Sequence, residues 1–365
     1  MPTRPPTLAR PTQPPATAGP GRATRRDEWT ILASAGVLLV GLFLDGWSHA
    51  NQEGTLESFL TPAHTMVFVG FVLCALAVAA VVAARRGPGT SVLATTPPAW
   101  RQAAVAVAAF GLAFLGDGLW HTVFGIESDI DALLSPTHLV LAGSMVVLFS
   151  TPLRSFDRHA AEQPSDHAEP GWIVAAAVSA TTLVVAFFLL YAWTIQFGLS
   201  TAATVDALTA LGGDVAELGE ITGLVGTLVV TGVLVGGATA LLRRGTPPRG
   251  ALAMLLVTVP AAMSAIREFS AAGTLWAFVV AAVVVELMVH RPGRRTAPRT
   301  VAATWAVVCW TGYWVAVATS ARLGWEPELY VGQVVSAAAF AWWLGARATQ
   351  LPAHHGDLAV ARAGS

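Results

Sequence analysis

Two stretches of the chain carry the same potential metal-binding side chains in the same order. The first reads Asp45-Gly-Trp-Ser-His49 and then Thr61-Pro-Ala-His64. The second reads Asp117-Gly-Leu-Trp-His121 and then Ser135-Pro-Thr-His138. An Asp and a His four residues apart share one face of a helix. Thr-Pro and Ser-Pro match a helix N-cap followed by proline at the first helical position. His64 and His138 are therefore expected in the first turn of the following helix. A tight connection would turn one carboxylate and two imidazoles toward each other, a donor set suited to non-haem iron, copper or zinc. The candidate ligands are Asp45, His49, His64, Asp117, His121 and His138, as two mononuclear sites or one shared site. In a single copy, Asp-Gly could simply end a helix and Thr-Pro simply begin one. Two copies with the same residue types in the same order favour a shared chemical purpose.

The segments between the paired elements are acidic, with Glu53 and Glu57 in the first and Glu127, Asp129 and Asp131 in the second. Glu53 and Glu127 are weak candidates for orienting the imidazoles; solvated loop carboxylates explain them equally well. The other five histidines, His159, His167, His290, His354 and His355, lie apart from the motifs.

The elements that must position these residues follow from composition. Of 365 residues, 54% are hydrophobic and 12% charged, against roughly 25% charged in soluble domains. That excludes a water-soluble enzyme and a disordered chain. The 21 basic residues, all Arg, nearly balance 22 acids, so the strong basic excess of a nucleic-acid binder is missing. No Walker motif or strand-linked GxGxxG points to a nucleotide. Cys74 and Cys309 form no CxxC pair, so neither a thiolate metal site nor a disulfide framework is indicated.

Long apolar runs predict an all-α polytopic membrane protein embedded in a lipid bilayer. We read about ten spans, at 29–49, 63–84, 102–121, 137–153, 171–194, 219–242, 250–267, 272–290, 301–320 and 329–347. They pair into five hairpins, the first two an internal repeat whose copies point the same way through the membrane. The expected organisation is a Pro-rich cytoplasmic tail over 1–28 and duplicated metal-site hairpins over 29–153. Six further helices over 171–347 and a cytoplasmic tail over 348–365 complete it. Arg22, Arg25 and Arg26 precede the first run as in a secretory signal, but that run ends in Asp45…His49 rather than a cleavage site.

With the N-terminus inside, 19 of the 21 arginines fall on the cytoplasmic side, as the positive-inside rule asks. Both termini are then cytoplasmic, in a bacterial-type plasma membrane. Trp29, Trp100 and Trp172 are read as anchors at inner helix ends, and Trp47, Trp120, Trp193 and Trp325 at outer ends. In the second half, Asp214, Glu217 and Glu220 are read as acids at a helix N-terminus. Glu286 is read as snorkelling toward Arg291 or Arg294. The glycines between Gly219 and Gly236 are read as allowing close helix packing.

The pattern Asp-Gly-x-x-His, a loop, then Phe-x-Thr-Pro-x-His resembles the metal-site segment in one of the integral membrane subunits of the copper membrane monooxygenases, the particulate methane and ammonia enzymes. It is carried here by Asp45, Gly46, His49, Phe59, Thr61, Pro62 and His64. The second copy matches at Asp117, Gly118, His121, Pro136 and His138, with Ser135 in place of Thr. The resemblance implies that the Asp and two His of each copy hold a transition metal, copper favoured over iron or zinc, near the outer face. It also implies an oxidoreductase or oxidoreductase subunit with other membrane subunits as partners. The family carries one copy of the motif where this chain has two, and another of its subunits bears a cupredoxin-like domain absent here. The alternative expectation is a transporter or metal-handling protein without redox catalysis. The six Met show no cluster that would favour a Cu(I) route.

Overall fold

A computed structural model describes residues 23–52, 61–85, 91–125, 129–163, 170–293 and 295–350. Among them the backbone is helical throughout, apart from connections and one antiparallel bridge between Thr201 and Leu323.

Helix α1 (Arg25–Asn51) begins four residues ahead of the apolar run because Thr24 and Asp27 form a capping box. The Thr24 hydroxyl accepts from Asp27 N–H at 3.1 Å, and the Asp27 carboxylate accepts from Thr24 N–H at 2.8 Å. Helix α2 (Pro62–Ala84) returns antiparallel, and Arg85 at its end reaches Asp27 at 3.1 Å. The two backbones approach closely at glycine. A Cβ on Gly41 would lie 2.6 Å from Val67 N, and one on Gly70 would collide with the Leu38 backbone. The Gly41 contact sits one helical turn from Asp45, so it sets how far that carboxylate stands from α2.

After the single turn α3 (Val92–Thr95), helix α4 (Pro98–Phe124), the short α5 (Asp129–Leu134) and α6 (Pro136–Phe149) build the second hairpin. The predicted span 137–153 is bent: α7 (Thr151–Glu162) leaves α6 at 47°. Helix α8 (Trp172–Phe188) touches α1, α6 and α7 and also α10 and α11. The predicted span 171–194 thus ends as α-helix at Phe188 and continues as two 3-10 turns, Leu190–Ala192 and Thr194–Gln196.

The remaining helices are α9 (Ala202–Leu211), α10 (Gly213–Leu242), α11 (Ala251–Ile266), α12 (Leu275–Val289), α13 (Pro298–Ser320) and α14 (Pro327–Gln350). On α10, Gly223 faces the Trp325 ring and Gly226 faces Thr194, so these two glycines make room for connecting segments rather than for a neighbouring helix. Among the described residues, seven helical stretches are long and apolar enough to cross a membrane: α1, α2, α4, α10, α13, α14 and the stretch Ala272–Val289. Taking the bent pair α6–α7 as one span makes eight. Helices α8 and α11 have 17 and 16 residues. At about 1.5 Å per residue each is shorter than a hydrocarbon core of about 30 Å. Leu112, Leu115, Leu119 and Val123 form an exposed apolar stripe on α4, as lipid contact requires. This is the architecture of a helical multi-pass membrane protein.

Several tryptophans depart from the expectation. Trp100 and Trp193 are fully buried and Trp325 nearly so, which makes them packing residues rather than interface anchors. Trp325 donates to the Leu199 carbonyl at 3.0 Å, so its polar edge is satisfied inside the protein. Glu286 also differs. It accepts from Gly250 N–H at 2.6 Å and Ala253 N–H at 3.1 Å, and lies 3.1 Å from His290 Nδ1. It caps the start of α11 instead of reaching toward Arg291, because a helix N-terminus offers unpaired donors within its reach.

Candidate metal centre

Asp45 and His49 sit on successive turns near the end of α1, as their spacing requires. The Asp-Gly pair does not end the helix. Gly46 stays helical and leaves room for Phe187 of α8, whose ring would lie 2.5 Å from a Cβ at that position. Across the hairpin, Thr61 accepts from His64 N–H at 3.1 Å with Pro62 at the first helical position. His64 thereby stands at the head of α2, opposite Asp45. His64 Nε2 is 3.4 Å and His49 Nε2 3.9 Å from the same oxygen, Asp45 Oδ2.

The second hairpin builds a matching group. Ser135 caps α6 by accepting from His138 N–H at 3.4 Å, and Pro136 follows it. His121 Nε2 is 3.4 Å from Asp117 Oδ2, and His138 Nε2 is 3.5 Å from Asp117 Oδ1. Within each group one ligand atom from every residue lies within 4.8 Å of the others. The six candidate ligands are therefore gathered as two groups of three, not one shared group.

The spacing accommodates a metal ion. Metal–nitrogen and metal–oxygen bonds of roughly 2.0–2.2 Å at a tetrahedral angle put neighbouring donors about 3.4 Å apart. At the first centre both imidazoles face one oxygen, Asp45 Oδ2, at 3.4 and 3.9 Å; at the second they face different oxygens of Asp117, at 3.4 and 3.5 Å, so an ion there would use both carboxylate oxygens or need one ring to rotate. Three protein donors leave coordination positions open. Without an ion each carboxylate still has two imidazoles for company, so the same groups also act as polar contacts between helices.

Around the second group lies a set of supporting hydrogen bonds that the sequence does not announce. Thr137 donates from its hydroxyl to Asp117 Oδ1 at 2.7 Å. His121 Nδ1 donates to the Gly125 carbonyl at 3.1 Å, which leaves its Nε2 lone pair aimed at the group. His138 Nδ1 lies 2.8 Å from Ser135 Oγ. The one signal in the sequence is Thr137 standing where the first copy has Ala63.

The two groups are neighbours. Helix α2, which carries His64, packs against α4, which carries Asp117 and His121. Below them the His64 ring is stacked parallel to Phe68 at 6.2 Å, and Phe68 meets Phe114 edge-on at 4.2 Å, three residues before Asp117. Glu53, Glu57, Phe59 and Glu127 lie outside the described residues. Asp131 is exposed on α5, and Glu217 is exposed on α10; neither belongs to the two groups. Comparison with known proteins adds no relative: no protein-family model, no curated protein and no solved structure matches this chain.

Proposed function

We propose that this protein is an integral membrane protein that binds a transition metal ion in each of two Asp-x3-His…His centres. The observation that carries the reading is the convergence of Asp45, His49 and His64, and separately of Asp117, His121 and His138, at metal-ligand spacing. Copper is the favoured ion, with iron or zinc as alternatives, because imidazole with carboxylate suits all three and the motif resembles that of the copper membrane monooxygenases. An ion with open positions supplies Lewis-acid chemistry or, for copper and iron, dioxygen chemistry. The chain's own residues hold the ion at helix ends and keep one side accessible. Ten spans in five hairpins, with both termini cytoplasmic and the centres outward, remain our reading of the topology. On it the first two hairpins are an internal repeat in a bacterial-type plasma membrane, with other membrane subunits as partners of an oxidoreductase.

Metal analysis of the gently extracted full-length protein tests this, alongside a His49→Ala plus His121→Ala variant. Stoichiometric transition metal in the wild type, lost in the variant, is the expected result. A wild type free of transition metal overturns the reading. Metal without oxygen consumption across a broad substrate panel favours metal transport or handling, a role to which the break after α8 and Pro260 inside α11 are suited.

A further inference from the structure

The two centres share donors but not surroundings. At the second, the side chains of Asp117 and His121 are 4% and 11% exposed, while His138 at 19% hardly differs from His64 at 17%. Each of its three donor residues also has a supporting contact: Thr137 on Asp117, the Gly125 carbonyl on His121, and Ser135 on His138. At the first, Ala63 occupies the position of Thr137 and has no hydroxyl to offer. The side chains of Asp45 and His49 are 17% and 29% exposed. Among the described residues none hydrogen-bonds the Asp45 carboxylate, whose two histidines stand 3.4 and 3.9 Å away, and none holds the Nδ1 of His49. A ligating carboxylate without a fixed partner keeps its rotational freedom. That freedom must be given up on binding, and it also eases release.

Resting on the metal reading above, the geometry points to two unequal centres with Thr137 as the positioning residue that separates them. The Asp117 centre is closed and holds its ion firmly. The Asp45 centre is open, exchanges its ion, and is the one that accepts a small added ligand such as an inorganic anion. The distinction is built into one motif position, Thr137 against Ala63.

Copper(II) is the probe. The full-length protein is loaded with copper(II) in detergent, and release to excess chelator is followed by electron paramagnetic resonance. The expected result is two phases, with azide perturbing only the signal of the fast one. His49→Ala removes the fast phase and His121→Ala the slow phase. Thr137→Ala speeds the slow phase by about 10–100-fold, the usual effect of losing an outer partner of a metal ligand. Thr137→Ser restores it, and Ala63→Thr slows the fast phase. A single phase with copper bound at both centres overturns the inequality and leaves the metal reading standing. So does a slow phase that disappears in His49→Ala. Failure of copper to bind at either centre overturns both.

Discussion

At the scale of single residues, the Asp117 carboxylate gathers three partners: the Thr137 hydroxyl and the imidazoles of His121 and His138. Asp117→Asn keeps the shape and an oxygen for Thr137 to donate to, but removes the charge that attracts a cation. We expect it to lose the metal of the second centre and to keep that of the first, read as metal content per purified chain. Acidification has a defined sign. An imidazole must be neutral to bind, so protons compete with the ion, and metal content falls as pH is lowered from about 8 to about 5. Equilibrium dialysis across that range checks it, and affinity that is flat with pH would exclude histidine ligation. The six donors were legible because their types and spacings are local facts of the chain. Thr137's role was not, since a hydroxyl becomes a supporting donor only once α6 lies against α4 and brings it within 2.7 Å of Asp117.

At the scale of elements, each centre depends on a hairpin held close. Gly41 lets α1 approach α2 beside Val67. Gly41→Leu forces the helices apart, and we expect the first centre to lose its metal while the second keeps its own. Overpacking of this kind costs about 1–3 kcal/mol, visible as a lower thermal midpoint in detergent. Glu286→Gln is the contrasting case. It weakens charge-assisted bonds at the start of α11, each worth roughly 1.5–3 kcal/mol, so stability should fall while metal content stays unchanged. Helix starts at Pro62 and Pro136 were readable because caps and prolines act locally. Several helix ends were readable too: the spans closing at 49, 84, 242, 290 and 320 stop within two residues of α1, α2, α10, α12 and α13. What the sequence did not show is why Gly46 is glycine, since Phe187 arrives there from a distant helix. The apolar run of α8 has no breaker at Phe188, where the helix nevertheless gives way to 3-10 turns.

At the scale of the whole molecule, α8 joins the two motif-bearing hairpins to the second half by packing against α1 and α6 as well as α10 and α11. The proposed topology predicts that a cysteine at Asp131 reacts with an impermeant thiol reagent on intact cells. A cysteine at Arg244 should react only after permeabilisation; equal labelling of both would overturn the orientation. Native Cys74 and Cys309, both at 0% exposure, should stay silent in either case. The sequence by itself determined the solvent of this protein, through its scarcity of charge, and the identity and order of the candidate metal donors, through local spacing. Only the tertiary structure decided that the donors form two groups rather than one. It also decided that Asp117 is more deeply buried than Asp45, and that Trp100, Trp193 and Trp325 pack inside the bundle. The physical reason is that apolar periodicity and caps act within a few residues. Which hydroxyl, ring or carbonyl stands behind a ligand is settled by how distant helices dock.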